Sequence, residues 1–327
     1  MPRKHAAVPH GANRSPTVSV VITTLGHSWL ANAVASALTQ TYEPLEIIVV
    51  DDRPLSETAS LALGSSDPRI VVMRARGMGA NHARNCGIQL ATGDLIALLD
   101  DDDRWFPQKL ERQVSMLLES DQPASTLVTC KAVLEPGGRV YPHLSYSGGA
   151  LADYLFRGHF PRLRYNALVQ TSSFLCPRDL ALAVPFREDL RSHQDWDWLL
   201  TLEAAAVNLD TVNEPLYTYS APSPGGVRSS LWLEAEHAWA LRSLPSGSKA
   251  LFGYFVSIAT PRALRSGRLG AAGRALSIGV RYGRWDSWTA LRGLLYSIYS
   301  LGLASGEAGI RIMSRHSAPL SSRPRTG

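Results

Sequence analysis

The sequence predicts an α/β chain: a mostly parallel central sheet with helices on both faces, followed by a helical C-terminal extension. Three observations carry this. Apolar, β-branched runs alternate with helix-spaced segments through the first hundred residues. Several of these runs are apolar without alternation, as strands covered on both faces are. From Leu231 onward the pattern is helical and rich in Arg, Ala and Leu.

Val18–Ile22, between Pro16 and Thr23-Thr24-Leu25-Gly26, reads as a buried strand. Leu30, Val34, Ala37 and Leu38 recur at helical spacing, and Leu45–Val50 is a second strand ending at Asp51-Asp52. A helix over Ser56–Leu63, a strand at Ile70–Met73, a helix over Ala83–Ala91 and a strand at Leu95–Leu99 follow. Pro107 suits the first turn of a helix reaching Leu118. Leu127–Leu134 reads as a strand, Gly137-Gly138 as a turn, and residues 146–165 as irregular. Ala167–Cys176 is a further apolar segment with Ser172-Ser173 inside it, Trp196–Ala206 a helix and Val212–Tyr219 a strand. The expected organisation is a leader over 1–15, a main domain over 16–230, a helical extension over 231–316 and a disordered tail over 317–327.

Composition narrows the class. The chain has 327 residues, 45% apolar and 19% charged, which is globular usage. Its most apolar uncharged stretch, Gly293–Gly306, is shorter than the roughly 20 residues that cross a bilayer. Met1–Pro16 is basic and polar, without the apolar core of a secretion signal. Three cysteines, Cys86, Cys130 and Cys176, fit a reduced cytoplasmic compartment and no zinc motif. The net charge of +5 is uneven: residues 1–240 hold 20 Lys and Arg against 26 Asp and Glu, whereas residues 241–327 hold 13 against 2. A basic C-terminal segment fits an anionic surface such as the inner face of a membrane, or simply a solvated basic face. No nucleic-acid motif accompanies it, and nucleic acid is not an expected partner.

Three strands end in polar residues: Thr23-Thr24, Asp51-Asp52 and Asp100–Asp103. Ligands of open α/β sheets bind beyond the carboxyl ends of the strands. Four consecutive aspartates repel one another unless a cation or donors offset them. Carboxylate oxygens are hard ligands suited to Mg²⁺ or Mn²⁺ with substrate phosphates. Alternation along the strand lets Asp100 and Asp102 face one side together, while Asp103 is expected to favour the start of the Pro107 helix. Gly77, Gly79 and Asn81 approach a helix N-terminus, as a phosphate cradle or a flexible loop would.

These residues together resemble a family 2 glycosyltransferase of the GT-A, nucleotide-diphospho-sugar transferase fold. The resemblance rests on Pro16–Ile22 with Thr23-Thr24, on Gln40-Thr41-Tyr42, and on Glu46-Ile47-Ile48-Val49-Val50-Asp51-Asp52. It continues through Ala83-Arg84-Asn85 with Gly87, Ala91-Thr92-Gly93-Asp94, and Leu99–Asp103 with Trp105. Phe186-Arg187-Glu188 and Gln194-Asp195-Trp196-Asp197 resemble the family's second half, so that roughly residues 16–220 are covered.

The resemblance implies an inverting transfer of sugar from a nucleotide-diphosphate donor, UDP-linked or other, to a saccharide or lipid-linked acceptor. It implies Asp102 as metal ligand with Asp100 near the nucleotide ribose, Thr23, Thr24, Asp51, Asp52 and Arg84 around the nucleotide, and Asp195 as catalytic base. Two departures stand out: Arg53-Pro54 follow the paired acids where the family often has Gly-Ser, and Gln194 replaces a common Glu. Asp197 competes with Asp195 but points to another helix face, as a first-turn acid would; an N-cap is the other reading of Asp195. His193 reads as a loop residue or a proton relay. The loop Ser220–Ser230, with Arg228, reads as a lid over the donor or as a linker. Trp232, Trp239, Trp285 and Trp288 among arginines would either pack the extension or contact a membrane peripherally. A sugar nucleotidyltransferase and a non-catalytic nucleotide-sugar-binding module are the competing functions.

Overall fold

The computed structural model describes residues 14–54, 60–157, 169–220 and 233–304. Contacts group these into two compact units, 14–155 with 169–220, and 156–157 with 233–304.

The first unit is built on one sheet. Its first four strands in space are β3 (Ile70–Arg74), β2 (Glu46–Asp51), β1 (Val18–Thr24) and β4 (Leu95–Asp100), all mutually parallel. Every residue of β1 is buried, as expected of a strand with partners on both edges and helices on its faces. Beyond β4 the sheet is mixed. β8 (Leu175–Pro177) runs antiparallel to β4 and β6 (Thr126–Glu135), while β9 (Asn208–Ser220) runs parallel to β6. β5 (Arg104–Trp105) pairs with β9 and β7 (Arg139–Tyr141) with β6.

α1 (Leu30–Leu38), α2 (Ala80–Leu90) and α3 (Lys109–Glu119) cover the sheet. α2 lies so close to β1 that a Cβ on Gly87 would stand 2.4 Å from Val21 Cγ1. α3 buries Leu110, Val114 and Leu117 but also Lys109 and Gln113. Lys109 Nζ donates to Gln113 Oε1 at 2.5 Å and sits 4.0 Å from the Trp105 ring centre. Burial pushes its pKa down to about 8. Gln113 in turn donates to the carbonyls of Val128 and Ser173.

Two sequence expectations fail. Residues 60–63 are not helical, and the rest of the expected 56–63 helix lies largely outside the described residues. The 146–165 stretch, expected irregular, contains α4 (Leu151–Phe156), whose Leu151 N–H is taken up by the Glu203 carboxylate. A side chain distant in sequence supplies that start, and no local signal announces it. Two short helices, α5 (Arg178–Ala183) and α6 (Gln194–Ala204), complete this unit.

The second unit is helical: α7 (Leu233–Ser243), α8 (Lys249–Tyr254), α9 (Thr260–Arg265), α10 (Leu269–Tyr282) and α11 (Ser287–Ala304). A π-helical turn, Phe255–Ala259, joins α8 to α9. Trp239, Tyr254 and Phe156 pack edge to face. Among the described residues no helix is long and apolar enough to cross a membrane. The expected leader, tail and Ser220–Ser230 loop lie wholly or mostly outside the described residues.

Candidate active site

The parallel register delivers three polar strand ends to one rim. Thr24 stands opposite Asp51, and Thr23 opposite Asp100. Thr23, Thr24, Asp51 and Asp52 are all buried there.

The four aspartates after β4 divide. Asp101 turns toward β1, where it accepts the Thr24 hydroxyl at 2.5 Å and lies 3.1 Å from His27 Nδ1. Burial raises its pKa. Asp100 accepts Arg84 Nη2 at 2.8 Å, while its own N–H donates to Ser172 Oγ at 3.0 Å. Asp102 is exposed. Asp103 is buried, accepting Ser172 Oγ at 2.6 Å and the Ser220 N–H at 3.1 Å. Burial pushes its pKa well up, and the Asp100 and Asp102 charges add to this. The expectation that Asp103 serves the Pro107 helix is therefore overturned. β5 intervenes and pairs with β9, and α3 starts only at Lys109. Asp100, Asp102 and Asp103 each offer an oxygen within 4.8 Å of the others. That set of hard donors fits Mg²⁺ or Mn²⁺, with Asp102 the member most open to solvent.

The paired acids after β2 also divide. Arg53 grips Asp51 with Nε at 2.9 Å and Nη2 at 2.8 Å, and this bond holds the Asp51 carboxyl below the usual range. Asp52 accepts the Gly79 N–H at 2.9 Å, and burial raises its pKa. Its Oδ1 is buried without a partner. Gly79, at φ +111°, aims its amide at the Asp52 carboxylate, so the Gly77–Asn81 approach holds Asp52 in place.

The second half of the chain completes the rim. α6 begins at Gln194, and His193, at φ +59°, occupies the cap position. Asp195 is therefore a first-turn residue and not the N-cap. The Thr171 hydroxyl donates to Asp195 Oδ1. Asp197 is buried, with Arg187 Nη1 3.4 Å away, which marks it as a structural acid. His193 stacks on Trp196 at 4.7 Å between ring centres.

Arg84 joins the halves. It is buried, and it donates to Asn81, Gln194 and Asp100. Burial opposes its charge, but the Asp100, Asp195 and Asp102 carboxylates outweigh that and hold its pKa above the ordinary value. Its two terminal nitrogens donate to protein partners, while its Nε is buried without one; the resemblance places this residue beside the nucleotide.

The sequence marks Ser172-Ser173 inside an apolar segment but assigns neither them nor Thr171 a role. They form a single 3₁₀ turn before β8, and neighbouring residues of that turn hold Asp195 on one side and Asp103 with the Asp100 amide on the other. Only the polar Thr-Ser-Ser step inside an apolar run marks them. A recess of about 160 Å³ opens beside Asp101, Asp102 and Asp103, between Trp29 and Ser220. A larger cavity of about 650 Å³ reaches Leu127 and Asn208, at the opposite ends of β6 and β9, and none of the acids of the rim lines it.

Comparison with known proteins follows the same ground. The family model described as Glycosyl transferase family 2 matches residues 19–178. The chain is 31% identical over 204 residues to the uncharacterised glycosyltransferase RP339 of Rickettsia prowazekii (strain Madrid E), covering 60% of this chain and 62% of that one. It is 28% identical over 216 residues to the amylovoran biosynthesis glycosyltransferase AmsB of Erwinia amylovora, covering 60% and 69%. Over 93 residues it is 39% identical to WfgD of Escherichia coli, covering 28% and 37%. The chain thus spans less than two thirds of the length of the Rickettsia relative. Among solved structures, residues 1–349 of S. aureus TarS share the fold, at TM-score 0.53 and 14% identity over 89% of this chain and 92% of that one.

Proposed function

We propose that this chain, whose residues 19–178 match glycosyl transferase family 2, moves a sugar from a nucleoside-diphosphate donor to an acceptor hydroxyl with inversion at the anomeric carbon. The observation that carries this reading is the Thr171–Ser173 turn, which ties Asp195 to the Asp100–Asp103 cluster through adjacent side chains. A base for the acceptor and a seat for the diphosphate then share one rim.

Asp52, with a buried unpartnered oxygen, is the acceptor for a nucleobase N–H, while Thr23, Thr24, Asp51 and Asp100 line the nucleotide. Asp102, with Asp100 beside it, would hold a Mg²⁺ or Mn²⁺ ion, whose charge when bound stabilises the departing diphosphate. Arg84 positions Asp100 and the start of α6. The acceptor oxygen attacks the anomeric carbon opposite the diphosphate. Its proton passes to the Asp195 carboxylate, and the electron pair of the broken sugar–oxygen bond stays on the β-phosphate.

A uridine donor is supported by one relative and one structural neighbour. WfgD is named a UDP-Glc:alpha-D-GlcNAc-diphosphoundecaprenol beta-1,3-glucosyltransferase, and TarS has been solved with UDP-GlcNAc. The WfgD name also favours a lipid-diphosphate-linked saccharide as acceptor here. The test is a panel of sugar nucleotides with Mn²⁺ and an acceptor. Release of nucleoside diphosphate supports transfer. Release of pyrophosphate would mean a nucleotidyltransferase, and tight binding without product would mean a binding module.

A further inference from the structure

Helix α11 is built inside out. Its buried residues are polar or small: Thr289 and Arg292, 0% and 1% exposed, with Gly293 and Ser300. Its solvent side carries Trp288, Leu291, Leu294, Leu295, Ile298 and Leu301. At 100° per residue these six fall within an arc of about 140°. The inward face is already satisfied by its own unit. Arg292 donates to the carbonyls of Phe156 and Arg157 at 2.7 and 3.3 Å, and Ser257 Oγ donates to the Thr289 carbonyl at 3.3 Å. A Cβ on Gly293 would stand 2.3 Å from Val256 Cγ1, so the helix is seated by close backbone approach. The apolar stripe is left 40–58% exposed beside this seating, and a continuous exposed stripe of this kind marks an interaction surface.

Charge and aromatics indicate what covers it. Exposed Arg281 and Arg284 precede the helix, next to Trp285, which is 63% exposed. The single acid between residues 266 and 304, Asp286, is buried, lies within 3.6 Å of Lys249 and Arg157, and accepts the Thr289 N–H at the helix start. Exposed tryptophans and arginines at the end of an uncharged aliphatic stripe match the headgroup layer of an anionic bilayer. Trp239 is buried, whereas Trp285, 5.2 Å from the Phe252 ring centre, and Trp288 keep 63% and 45% of their surface exposed. We propose that α11 lies along the surface of an anionic membrane, its aliphatic stripe among the upper acyl chains and Arg281 and Arg284 against lipid phosphates. The proposal goes beyond the transfer reading and does not depend on it.

The test uses the full chain with vesicles of equal parts phosphatidylglycerol and phosphatidylcholine, and with phosphatidylcholine alone. The chain is expected to sediment with the anionic vesicles and to show blue-shifted tryptophan emission. The double variant Leu295→Glu, Ile298→Glu should lose about tenfold or more of that partitioning with an unchanged circular-dichroism spectrum. Arg281→Glu with Arg284→Glu, on an exposed site, should weaken binding and abolish its salt dependence. UDP binding measured on the same samples keeps this test apart from the donor assignment. The proposal is overturned if the chain stays in the supernatant or if both double variants sediment as the parent does. It is also overturned if, without lipid, light scattering finds a dimer that Leu295→Glu, Ile298→Glu dissolves, which would give the face to a second copy.

Discussion

Arg84 reaches Asp100 with one terminal nitrogen, at 2.8 Å, and Gln194 with the other, at 3.0 Å. One buried cation therefore connects the end of β4 to the first residue of α6, where Asp195 follows. Gln194, neutral where a glutamate is common in the family, accepts this bond without adding a further negative charge.

Removing that cation leaves the half-buried Asp100 beside other carboxylates without its counter-charge. Arg84→Ala is expected to destabilise the fold by about 1–3 kcal/mol, read by urea denaturation. Arg84→Lys should recover part of the stability but not transfer, because one ammonium cannot copy the planar guanidinium that spans both partners. Wild-type transfer by Arg84→Lys would end the positioning role.

The two carboxylate roles separate kinetically. Asp102→Ala should abolish Mn²⁺-dependent donor binding, measured by calorimetry with and without metal. Asp195→Asn should keep donor binding and lower turnover by about 10²–10⁴. If Asp195→Asn transfers sugar at the parental rate, the base lies elsewhere.

Thr171→Val removes the hydroxyl that holds Asp195 while leaving the metal side untouched. We expect kcat to fall with the donor Kd unchanged. Ser172→Ala differs: it orphans the Asp100 amide and an oxygen of Asp103, at a cost of about 1–3 kcal/mol. Calorimetric donor binding and thermal unfolding of both variants check the distinction.

Lys109 gives a pH signature. Its folded pKa of about 8 lies below the ordinary 10.5, so the unfolded chain binds the extra proton between those values. Its penalty is complete below about pH 8 and is relieved as pH rises toward 10.5, a change on the order of 3 kcal/mol. Cys130 and Cys176, both pushed up to about 12 by burial, act in the opposite sense above about pH 9 as their unfolded thiols ionise. The difference between the parent and Lys109→Met isolates the lysine. Urea unfolding should show the parent gaining on the variant from pH 8 to 10, and parallel curves would refute the assignment.

The sequence by itself determined the alternating strands and helices of the first hundred residues and the acids at their ends. Those features are local: a short, β-branched run such as Val18–Ile22, bounded by Pro16 and Gly26, favours a strand buried on both faces, and chain direction then sends Thr24, Asp51 and Asp100 to the same edge. It also pointed to Asp195 as a candidate base through a resemblance carried by motif order. Only the tertiary structure decided how the acids divide: Asp51 is claimed by Arg53, Asp52 by the Gly79 amide, Asp101 by Thr24, and Asp103 by Ser172 and Ser220. These partners stand up to 117 residues apart, and a carboxylate's role is set by what surrounds it in space. The outward face of α11 was equally hidden, because helical periodicity shows where apolar residues cluster but not which side packing will cover.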